Sequence, residues 1–420
     1  MTGDPYRKPL GRIILAGLIG NVMEWYDFAV YGYFASLIGT LFFPAEDRAV
    51  SVIASFGAFA AGFLVRPLGG LVFGRIGDKF GRQRALTLSV IAMALPTVAI
   101  VLLPTYQTIG IAAPIAIVGL RIVQGLSVGG EFTSSLVFLV EHAPENRRAL
   151  TAIWGSWGAS AGILLGSGIG ALLTMLLDDQ QLLVWGWRIP FALGGLVALT
   201  GYLVRCGLEG MDLVGESEAP VRDAFSKFHG AMLRVALLNV GFGVSFYSVF
   251  IYAVTYIRDI DKLPEGIALR LNTWAMALLL VVLPVAAWFS DRYGRKPILV
   301  LGFGLLACGA VPLFQLIHSD DASLIFSGEA GFAVLVGLIS GGVVATNVEL
   351  MPNAVRCTGL AFAYNAAIGC FGGSTPLIAA ALISTTKNPI MPAYWILSTA
   401  AVSLFAALFL VRETRFEPLR

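Results

Sequence analysis

The chain has 420 residues, of which 57% are hydrophobic and 13% are charged, and its formal net charge is +2. Because a soluble globular protein carries about 25% charged residues, this composition excludes a soluble domain. No basic run suggests a nucleic-acid partner, and the spacing of the four cysteines suggests neither a metal site nor a disulfide framework.

Apolar runs of about 20 residues or more follow one another along almost the whole chain, and each can cross a hydrocarbon core of about 30 Å. Backbone groups in lipid must be satisfied within the segment, so these runs are predicted to be helices. The first run has the basic flank of a signal peptide, but it extends beyond any cleavage site and is interpreted as a retained span. The twelve predicted spans are residues 12–39, 49–77, 85–103, 111–140, 149–177, 187–206, 231–257, 266–289, 297–317, 324–350, 356–384 and 391–412.

The longest polar stretch, GLEGMDLVGESEAPVRDAFSKFHG, divides the spans into two groups of six. We therefore predict an all-α membrane protein with two pseudo-symmetric six-helix bundles, at residues 12–206 and 231–412, joined by a cytoplasmic linker at 207–230. An even number of spans puts both termini, 1–11 and 413–420, on one side. That side receives 20 of the 28 Lys and Arg residues and the opposite side 6, which predicts cytoplasmic termini by the positive-inside rule.

Two short patterns occur once in each half of the chain. GRIGDKFGRQR and AWFSDRYGRKP align Asp78, Gly81 and Arg82 with Asp291, Gly294 and Arg295, each 213 residues later. A Glu and an Arg after the fourth span, Glu141 and Arg148, return 208 residues later as Glu349 and Arg356. Two patterns at nearly one offset indicate a duplicated six-span unit, as in many secondary transporters.

Five stretches carry a family resemblance: GNVMEWYDFAVYGYF, FLVRPLGGLVFGRIGDKFGR, RIVQGLSVGGEF, WGWRIPFALGG and FSDRYGRKP. With MPAYW near the last span, they resemble the major facilitator superfamily and, within it, the metabolite:proton symporters, which include proline/betaine, α-ketoglutarate, citrate and shikimate transporters. The resemblance implies the major facilitator fold, coupling to protons and a small polar substrate. The chain departs from the pattern at Ala287, where Gly is usual. It also ends soon after the last span, without the long hydrophilic tail of osmosensing members, so we expect no osmotic sensing, although this leaves osmolyte transport open.

Charged residues within the spans are candidates for proton coupling, because each costs roughly 2.5–3.5 kcal/mol at the bilayer centre. From helical spacing and depth we predict two clusters, Glu24 and Asp27 with Arg121, and Glu131 with Arg66. A substrate that competes for Arg121 would free the acid to take a proton, with Asp27 the first choice of carrier and Glu24 the second. The alternative is that these are static ion pairs that hold helices in register.

Candidate substrate contacts are polar side chains within the spans: Asn21, Tyr31, Arg121, Gln124, Tyr247 and Asn365. For those of the second half, a satisfied helix–helix contact is an equally good interpretation. Gly125 and Gly129 predict a close helix contact, and Gly158, Gly162, Gly166 and Gly170 predict close packing at the moving interface.

By resemblance, the loop motifs form a cytoplasmic latch that gates transport in the outward-open state. Its predicted members are Gly74, Asp78, Gly81, Arg82, Glu141, Arg148, Asp291, Gly294, Arg295, Glu349 and Arg356. The alternative is that the basic residues only set the membrane topology, but topology alone would not require the fixed Asp–Gly–Arg spacing.

We therefore predict a proton-coupled importer of a small organic acid with one to three carboxylates, working as a monomer by alternating access in a bacterial cytoplasmic membrane. The alternatives are a symporter of a zwitterionic osmolyte such as proline or betaine, an exchanger or facilitator that uses the same cavity, and a non-transporting sensor of the same fold. The sequence contains no enzymatic constellation, and the proton is the only coupling partner we expect.

Overall fold

The computed structural model describes residues 10–80, 82–196 and 220–419, and every regular element in these residues is a helix. The first half contains α1 (Leu10–Tyr33), α2 (Ala35–Phe42), α3 (Arg48–Leu64), α4 (Arg66–Phe80), α5 (Arg82–Leu102), α6 (Tyr106–Ile109), α7 (Ala112–Val128), α8 (Glu131–Glu141), α9 (Arg148–Leu176), α10 (Asp179–Gln181) and α11 (188–196). The second half contains α12 (Pro220–Lys227), α13 (His229–Tyr247), α14 (Ala253–Asp259), α15 (Glu265–Tyr293), α16 (Arg295–Ile317), α17 (Ala322–Glu349), α18 (Arg356–Ala367), α19 (Thr375–Thr386) and α20 (Met391–Phe405).

These helices match the predicted spans in order and position. Within the described ranges, nine helices are long and apolar enough to cross a membrane. The pair α1–α2 and helix α5 occupy two more predicted spans, and α11 covers the described part of the sixth. The predicted linker lies outside the described residues from 207 to 219, while its last part forms α12, whose Phe225 packs on Phe362 of α18 at 4.7 Å between ring centroids.

Several spans are interrupted near their middle, which the sequence did not predict. Pro67 lacks an amide hydrogen and stands at the start of α4, so the second span breaks at Val65. Turns of π-helix follow α13 at Ser248–Tyr252 and α18 at Ile368–Gly373. Such turns are frequent at functional sites, and both lie beside the central cavity described below.

Glycines allow the closest helix approaches in the first half. A Cβ on Gly125 of α7 would overlap the carbonyl oxygen of Gly62 on α3, so the predicted small-residue contact is confirmed. On α9, Gly158 and Gly162 face the α1 backbone at Leu18 and Val22. The glycine repeat of α9 thus packs mainly within its own half, contrary to the prediction of a moving interface.

The fourth member of that repeat, Gly170, does face the other half, where Leu269 of α15 lies 3.2 Å from a Cβ built on it. Helix α9 therefore packs on α1 along most of its length and meets α15 of the second half with its remaining surface. This shared helix joins the two bundles.

Candidate functional site

Asp27 lies in a fully buried hydrogen-bond network between α1, α5 and α7. Its Oδ1 accepts a hydrogen bond from Thr97 Oγ1 at 2.7 Å, and its Oδ2 accepts one from Gln124 Nε2 at 2.8 Å. Arg121 Nη1 lies 3.4 Å from Asp27 Oδ2 and donates to Gln124 Oε1 at 2.8 Å. The predicted pairing of Asp27 with Arg121 is therefore present, and three donors stabilise the ionised carboxylate.

Arg66 does not pair with Glu131, so that predicted cluster is wrong in this structure. The Arg66 guanidinium carbon lies 3.8 Å from the ring centroid of Phe63, 4.2 Å from that of Phe28 and 5.4 Å from that of Trp25. Its Nε and Nη2 have no hydrogen-bond partner among the described residues, although the side chain is 1% exposed. The aromatic rings around Arg66 determine where its side chain points. The sequence argument used only spacing and depth along the helix, so it could not predict these contacts.

Glu131 instead faces the acids of α1. A cavity of about 20 Å³, with space for about one water molecule, is lined by Glu24, Asp27 and Glu131 together with Thr97 and Met93. Glu24 is also in electrostatic contact with Arg66. The observed grouping therefore differs from the two predicted clusters. Three carboxylates line one small cavity, and the Arg66 guanidinium is in electrostatic contact with one of them, Glu24.

A second cavity, which we call the central cavity, lies between the two halves and has a volume of about 30 Å³. Small side chains of α9 form one wall and aromatic rings form most of the rest. Its lining consists of Trp25, Phe132, Ser156, Ala159, Ser160, Phe242, Gly243, Phe246, Tyr247, Ser340, Tyr364 and Ile368.

The aromatic rings of the central cavity contact one another across the two halves. Phe132 stacks on Tyr364 at 5.2 Å between centroids, and Trp25 lies 5.7 Å from Phe132 and 6.3 Å from Tyr247. The hydroxyl of Tyr247 and the indole nitrogen of Trp25 have no hydrogen-bond partner among the described residues. The cavity wall therefore combines ring faces with two free polar groups, the arrangement of a small-molecule site.

Arg66 adjoins this cavity through its lining residues. Trp25 contacts the guanidinium directly, and Tyr247 and Tyr364 are in electrostatic contact with it. A permanently charged group thus lies next to an aromatic-lined cavity, and two of its nitrogens have no hydrogen-bond partner in the described part of the chain.

Of the predicted substrate contacts, Tyr247 alone lines the central cavity. Asn21 donates hydrogen bonds to Ser135 Oγ and to the Gly155 carbonyl, and the Tyr31 hydroxyl donates to the Ser55 carbonyl. Asn365 donates to the carbonyls of Ala361 and Gly129. The structure places these three side chains in helix contacts, and Arg121 and Gln124 in the Asp27 network.

The predicted latch closes one end of the molecule, which we call the latch end. Asp291, at the end of α15, accepts hydrogen bonds from the amides of Ala149 at 3.0 Å and Leu150 at 2.8 Å. These amides belong to the first turn of α9 in the other half, where the helix dipole favours a negative charge. A carboxylate of one bundle therefore caps a helix of the other.

Arginine–glutamate pairs extend the latch. Arg295 binds Asp291 at 2.8 Å and Glu349 through two nitrogens at 3.1 and 3.2 Å. Arg148 of the first half lies 3.8 Å from Glu349, and Arg356 lies 2.8 Å from Glu141. The two Glu–Arg repeats thus pair across the halves, each Glu with the Arg of the other repeat.

Residues after α20 also join the latch. Glu413 accepts hydrogen bonds from the amides of Arg295 and Lys296, Thr414 Oγ1 donates to Glu349 at 2.6 Å, and Arg148 donates to the Glu417 carbonyl at 2.9 Å. Gly294 has φ of +110°, and a Cβ there would lie 2.5 Å from Glu413 Oε2, so this position requires glycine. In the first half, Gly81 lies outside the described residues, as do the side chains of Asp78 and Arg82 and the surroundings of Gly74.

The opposite end, which we call the far end, is closed by contacts that the sequence did not predict. Arg48 at the start of α3 binds Asp259 of α14 at 3.1 Å, and Ser36 donates to the same carboxylate. Asn272 of α15 donates to the Tyr33 hydroxyl at 2.8 Å and to Ser167 Oγ at 3.2 Å. With both ends closed, the structure is an occluded state.

Comparison with known proteins decides the family. Residues 17–376 match the sequence profile of the Major Facilitator Superfamily. The chain belongs to this superfamily. Like other superfamily members it is an integral, multi-pass membrane transporter, and the predicted fold class is confirmed.

The relatives of this superfamily member include bacterial transporters named for proline and betaine. It is 36% identical to a glycine betaine/proline/ectoine/pipecolic acid transporter of Dickeya dadantii and 34% identical to a proline/betaine transporter of Escherichia coli. Each match covers 98% of this chain and 85% of the relative.

Solved structures of the same fold include a proton:xylose symporter bound to a bromodeoxyglucose, with a TM-score of 0.76 at 18% identity over 98% of this chain and 97% of that one. A partially occluded, inward-open xylose transporter of Escherichia coli gives a TM-score of 0.77 at 18% identity, over 98% of this chain and 99% of that one. At this identity the likeness establishes the fold of the transporter and nothing of its substrate.

The functional-site residues that sequence reasoning missed are mainly the aromatic residues of the central cavity. Trp25, Phe132, Phe246 and Tyr364 line the central cavity, but an aromatic residue in an apolar run has the same pattern as one that only packs. Trp25 did carry a signal, because it lies between Glu24 and Asp27 in the quoted motif of the transporter.

Proposed function

We propose that this transporter is a proton-coupled importer of a small zwitterion of the betaine or proline type. The observation that carries the proposal is the buried Arg66 guanidinium beside an aromatic-lined cavity between the two halves, since two of its nitrogens find no hydrogen-bond partner among the residues that the structure describes. The relatives named for glycine betaine, proline, ectoine and pipecolic acid support the same substrate class. We therefore favour the zwitterion over the organic acid.

The two ends of a zwitterion find different partners in this region. A carboxylate would bind the free N–H groups of Arg66, which present a planar, bidentate fork. A quaternary or secondary ammonium would lie against the rings of Trp25, Phe132 and Tyr364, because ring faces attract cations. A substrate with two or three carboxylates would require further cationic groups, and Arg121, which is in electrostatic contact with Arg66, is already bound to Asp27.

The central cavity must enlarge for substrate to bind. Its volume of about 30 Å³ accommodates about one water molecule. The π-helical turns after α13 and α18 adjoin it, and Tyr247 and Ile368 at their borders are part of its wall. We infer that bending at these turns opens the cavity toward one end at a time.

Proton coupling follows from the nearness of Arg66 to the Asp27 network. Both guanidinium groups, of Arg66 and Arg121, lie 4.2 Å from the ring centroid of Phe28. A substrate carboxylate bound to Arg66 offsets the positive charge of that guanidinium in the dry region that also holds Asp27, and the loss of a nearby positive charge disfavours ionisation of the acid. Substrate binding therefore promotes protonation of Asp27, and by linkage protonation promotes substrate binding.

We further infer that the latch end faces the cytoplasm, that the membrane is the bacterial cytoplasmic membrane, and that the monomer is the working unit. The excess of basic residues at the termini and loop motifs supports this orientation.

Uptake into proteoliposomes under an imposed pH gradient tests the proposal. Betaine and proline should accumulate, whereas citrate, α-ketoglutarate and shikimate should not. Arg66→Gln should abolish betaine uptake, and Arg66→Lys should reduce it at least about tenfold, because an ammonium cannot reproduce the bidentate fork. Arg270→Gln, at an exposed site on α15, is the matched control and should transport normally.

The result that would overturn the proposal is accumulation of a di- or tricarboxylate with no response to betaine. Competition adds a second readout that does not require a stable Arg66 variant. Betaine should compete with labelled proline, and tetramethylammonium, which has no carboxylate, should compete far less.

A further inference from the structure

Glu329 is a buried acid in α17 that the proton pathway described above does not use. The side chain is 0% exposed, and neither carboxylate oxygen has a hydrogen-bond partner among the described residues. No Arg, Lys or His in the described part of the chain lies within 4.0 Å of it, since every ion pair there involves other acids. It stands on the inward stripe of α17, with Ile325, Phe332 and Val336.

An ionised carboxylate in this position would be very unfavourable. Transfer of an unpaired charge into a dry interior costs several kcal/mol even after relaxation, and such a group is neutralised instead. In the occluded state Glu329 is therefore a neutral carboxylic acid that holds a proton. No cluster of His, Cys, Asp or Glu in the described residues offers a metal ion the ligands to replace that proton.

The neighbours of Glu329 connect it to the closure of the far end. The phenol of Tyr33, on α1 of the other half, is the titratable group in electrostatic contact with it. Tyr33 accepts a hydrogen bond from Asn272 of α15, and Asn272 also binds Ser167 of α9. Helices α1 and α9 must part from α15 and α17 for the far end to open.

Three basic groups at this end already have an acid partner among the described residues, whereas Arg270 of α15 and Lys262 just before that helix are exposed. Arg258 binds Glu265 at 2.5 Å, Arg48 binds Asp259 at 3.1 Å, and His318, which follows α16, lies 2.5 Å from Asp261. Separation of the halves admits water to Glu329, and hydration favours the ionised form of the acid.

We propose that Glu329 is a proton-binding site that locks the far end: closure takes up one proton, and opening releases it. The proposal rests on the alternating access assumed in the proposed function, but on neither the zwitterion nor Asp27. Acidic solution at the far end then favours the closed state, and alkaline solution favours the open one, as proton linkage requires.

Distance measurements between the two halves test this lock. Spin labels at Gln107 of the first half and Thr385 of the second, both exposed at the far end, report its opening in the full chain without native cysteines. In the otherwise unchanged protein, the long-distance population should grow between mildly acidic and mildly alkaline pH. In Glu329→Gln, which has the shape of the protonated acid, the short distance should persist at every pH.

The control variant separates this lock from the transport proposal. Asp27→Asn should keep the pH-dependent change in distance, whatever its effect on uptake. An unchanged pH response in Glu329→Gln would overturn the lock, as would a response to sodium at constant pH that disappears in that variant. A second measurement is the infrared carbonyl band of a protonated carboxylic acid in the occluded protein, which should be missing from Glu329→Gln and present in Asp27→Asn.

Discussion

At the residue scale, the transporter depends on how each buried charge is satisfied. Asp27 receives hydrogen bonds from Thr97, Gln124 and Arg121, so its ionised form is well supported in the occluded state. Arg66 has aromatic neighbours instead, and two of its nitrogens have no hydrogen-bond partner within the described ranges. The first group is suited to exchange a proton, and the second to bind an anion.

Replacing Asp27 with Asn should abolish pH-driven accumulation of substrate, because the amide cannot bind the coupling proton. Exchange of labelled for unlabelled substrate requires no net proton movement and should remain within about threefold of the unmodified protein. Counterflow and gradient-driven uptake in the same proteoliposomes separate the two activities. Accumulation against a gradient at the unmodified rate would refute the role of Asp27.

The Asn variant also leaves Arg121 as an uncompensated buried cation, which typically costs about 3–5 kcal/mol. The double variant Asp27→Asn/Arg121→Gln removes both charges and should recover thermal stability without recovering accumulation. This pair of variants separates loss of coupling from loss of fold.

Sequence could predict one of these residue contacts and not the other. Asp27 and Arg121 meet because helical spacing and depth put them at one level on adjoining helices. The same argument failed for Arg66 and Glu131, since it says nothing of the rotamer that Phe28, Phe63 and Trp25 impose on Arg66. No charged residue matches Glu329 by helical spacing and depth, so the sequence argument did not predict a functional role for it.

At the element scale, the latch is a helix cap made in trans. An N-cap acid ordinarily belongs to the helix that it caps, as Asp321 caps α17 through the Ser323 amide. Asp291 instead caps α9 from the end of α15, so the energy of a helix cap holds the two halves together. Movement apart at the latch end exposes the amides of α9 to water.

Asp291→Asn should weaken the latch by about 1 kcal/mol, because the charge at the helix N-terminus is lost and the amide accepts more weakly. We expect a several-fold larger population with the latch end open, measured as the distance between spin labels at Glu145 and Tyr293. Asp321→Asn makes the same loss of charge at a cap within one helix and should leave that distance unchanged. Equal distances in both variants would show that the trans cap does not hold the latch.

The order of the elements was accessible from sequence, but their interruptions were not. Twelve apolar runs indicate twelve helices because lipid leaves the backbone no other choice. The π-helical turns at Ser248–Tyr252 and Ile368–Gly373 carry no proline and depend on tertiary packing around the central cavity. Helix α12 within the predicted linker depends likewise on its contact with α18.

At the scale of the whole molecule, both ends are closed around small cavities. The far end has Arg48–Asp259 and Tyr33–Asn272, and the latch end has the Asp291 cap. Alternating access requires that one set break while the other holds. Sequence repeats indicated the latch set through its Asp–Gly–Arg spacing, whereas the far-end set has no repeated pattern to reveal it.

The stability of the whole molecule should depend on pH through Asp261, which lies in the loop after α14. Burial raises the pKa of Asp261 from the ordinary 3.8 to about 6, against the lowering effect of His318. A raised acid pKa stabilises the fold below about pH 4, and this contribution is lost as pH rises to about 6. Asp261→Asn should therefore be more stable than the unmodified protein by about 1–2 kcal/mol above pH 6, and equally stable below pH 4.

Thermal unfolding in detergent across this pH range measures the difference. The matched control is Glu46→Gln, an exposed acid at the same end, which should change the melting temperature little at any pH. A melting temperature of Asp261→Asn that runs parallel to that of the unmodified protein at every pH would contradict the assignment.

The segment after α20 touches both halves, with Glu413 and Thr414 bound to the second and the Glu417 carbonyl bound to Arg148 of the first. A purification tag or fluorescent fusion placed at Val411 or Arg412 would disrupt these hydrogen bonds, whereas one added beyond residue 419 would leave them intact. The position chosen for such a fusion therefore also determines how stably the latch end of the transporter stays closed.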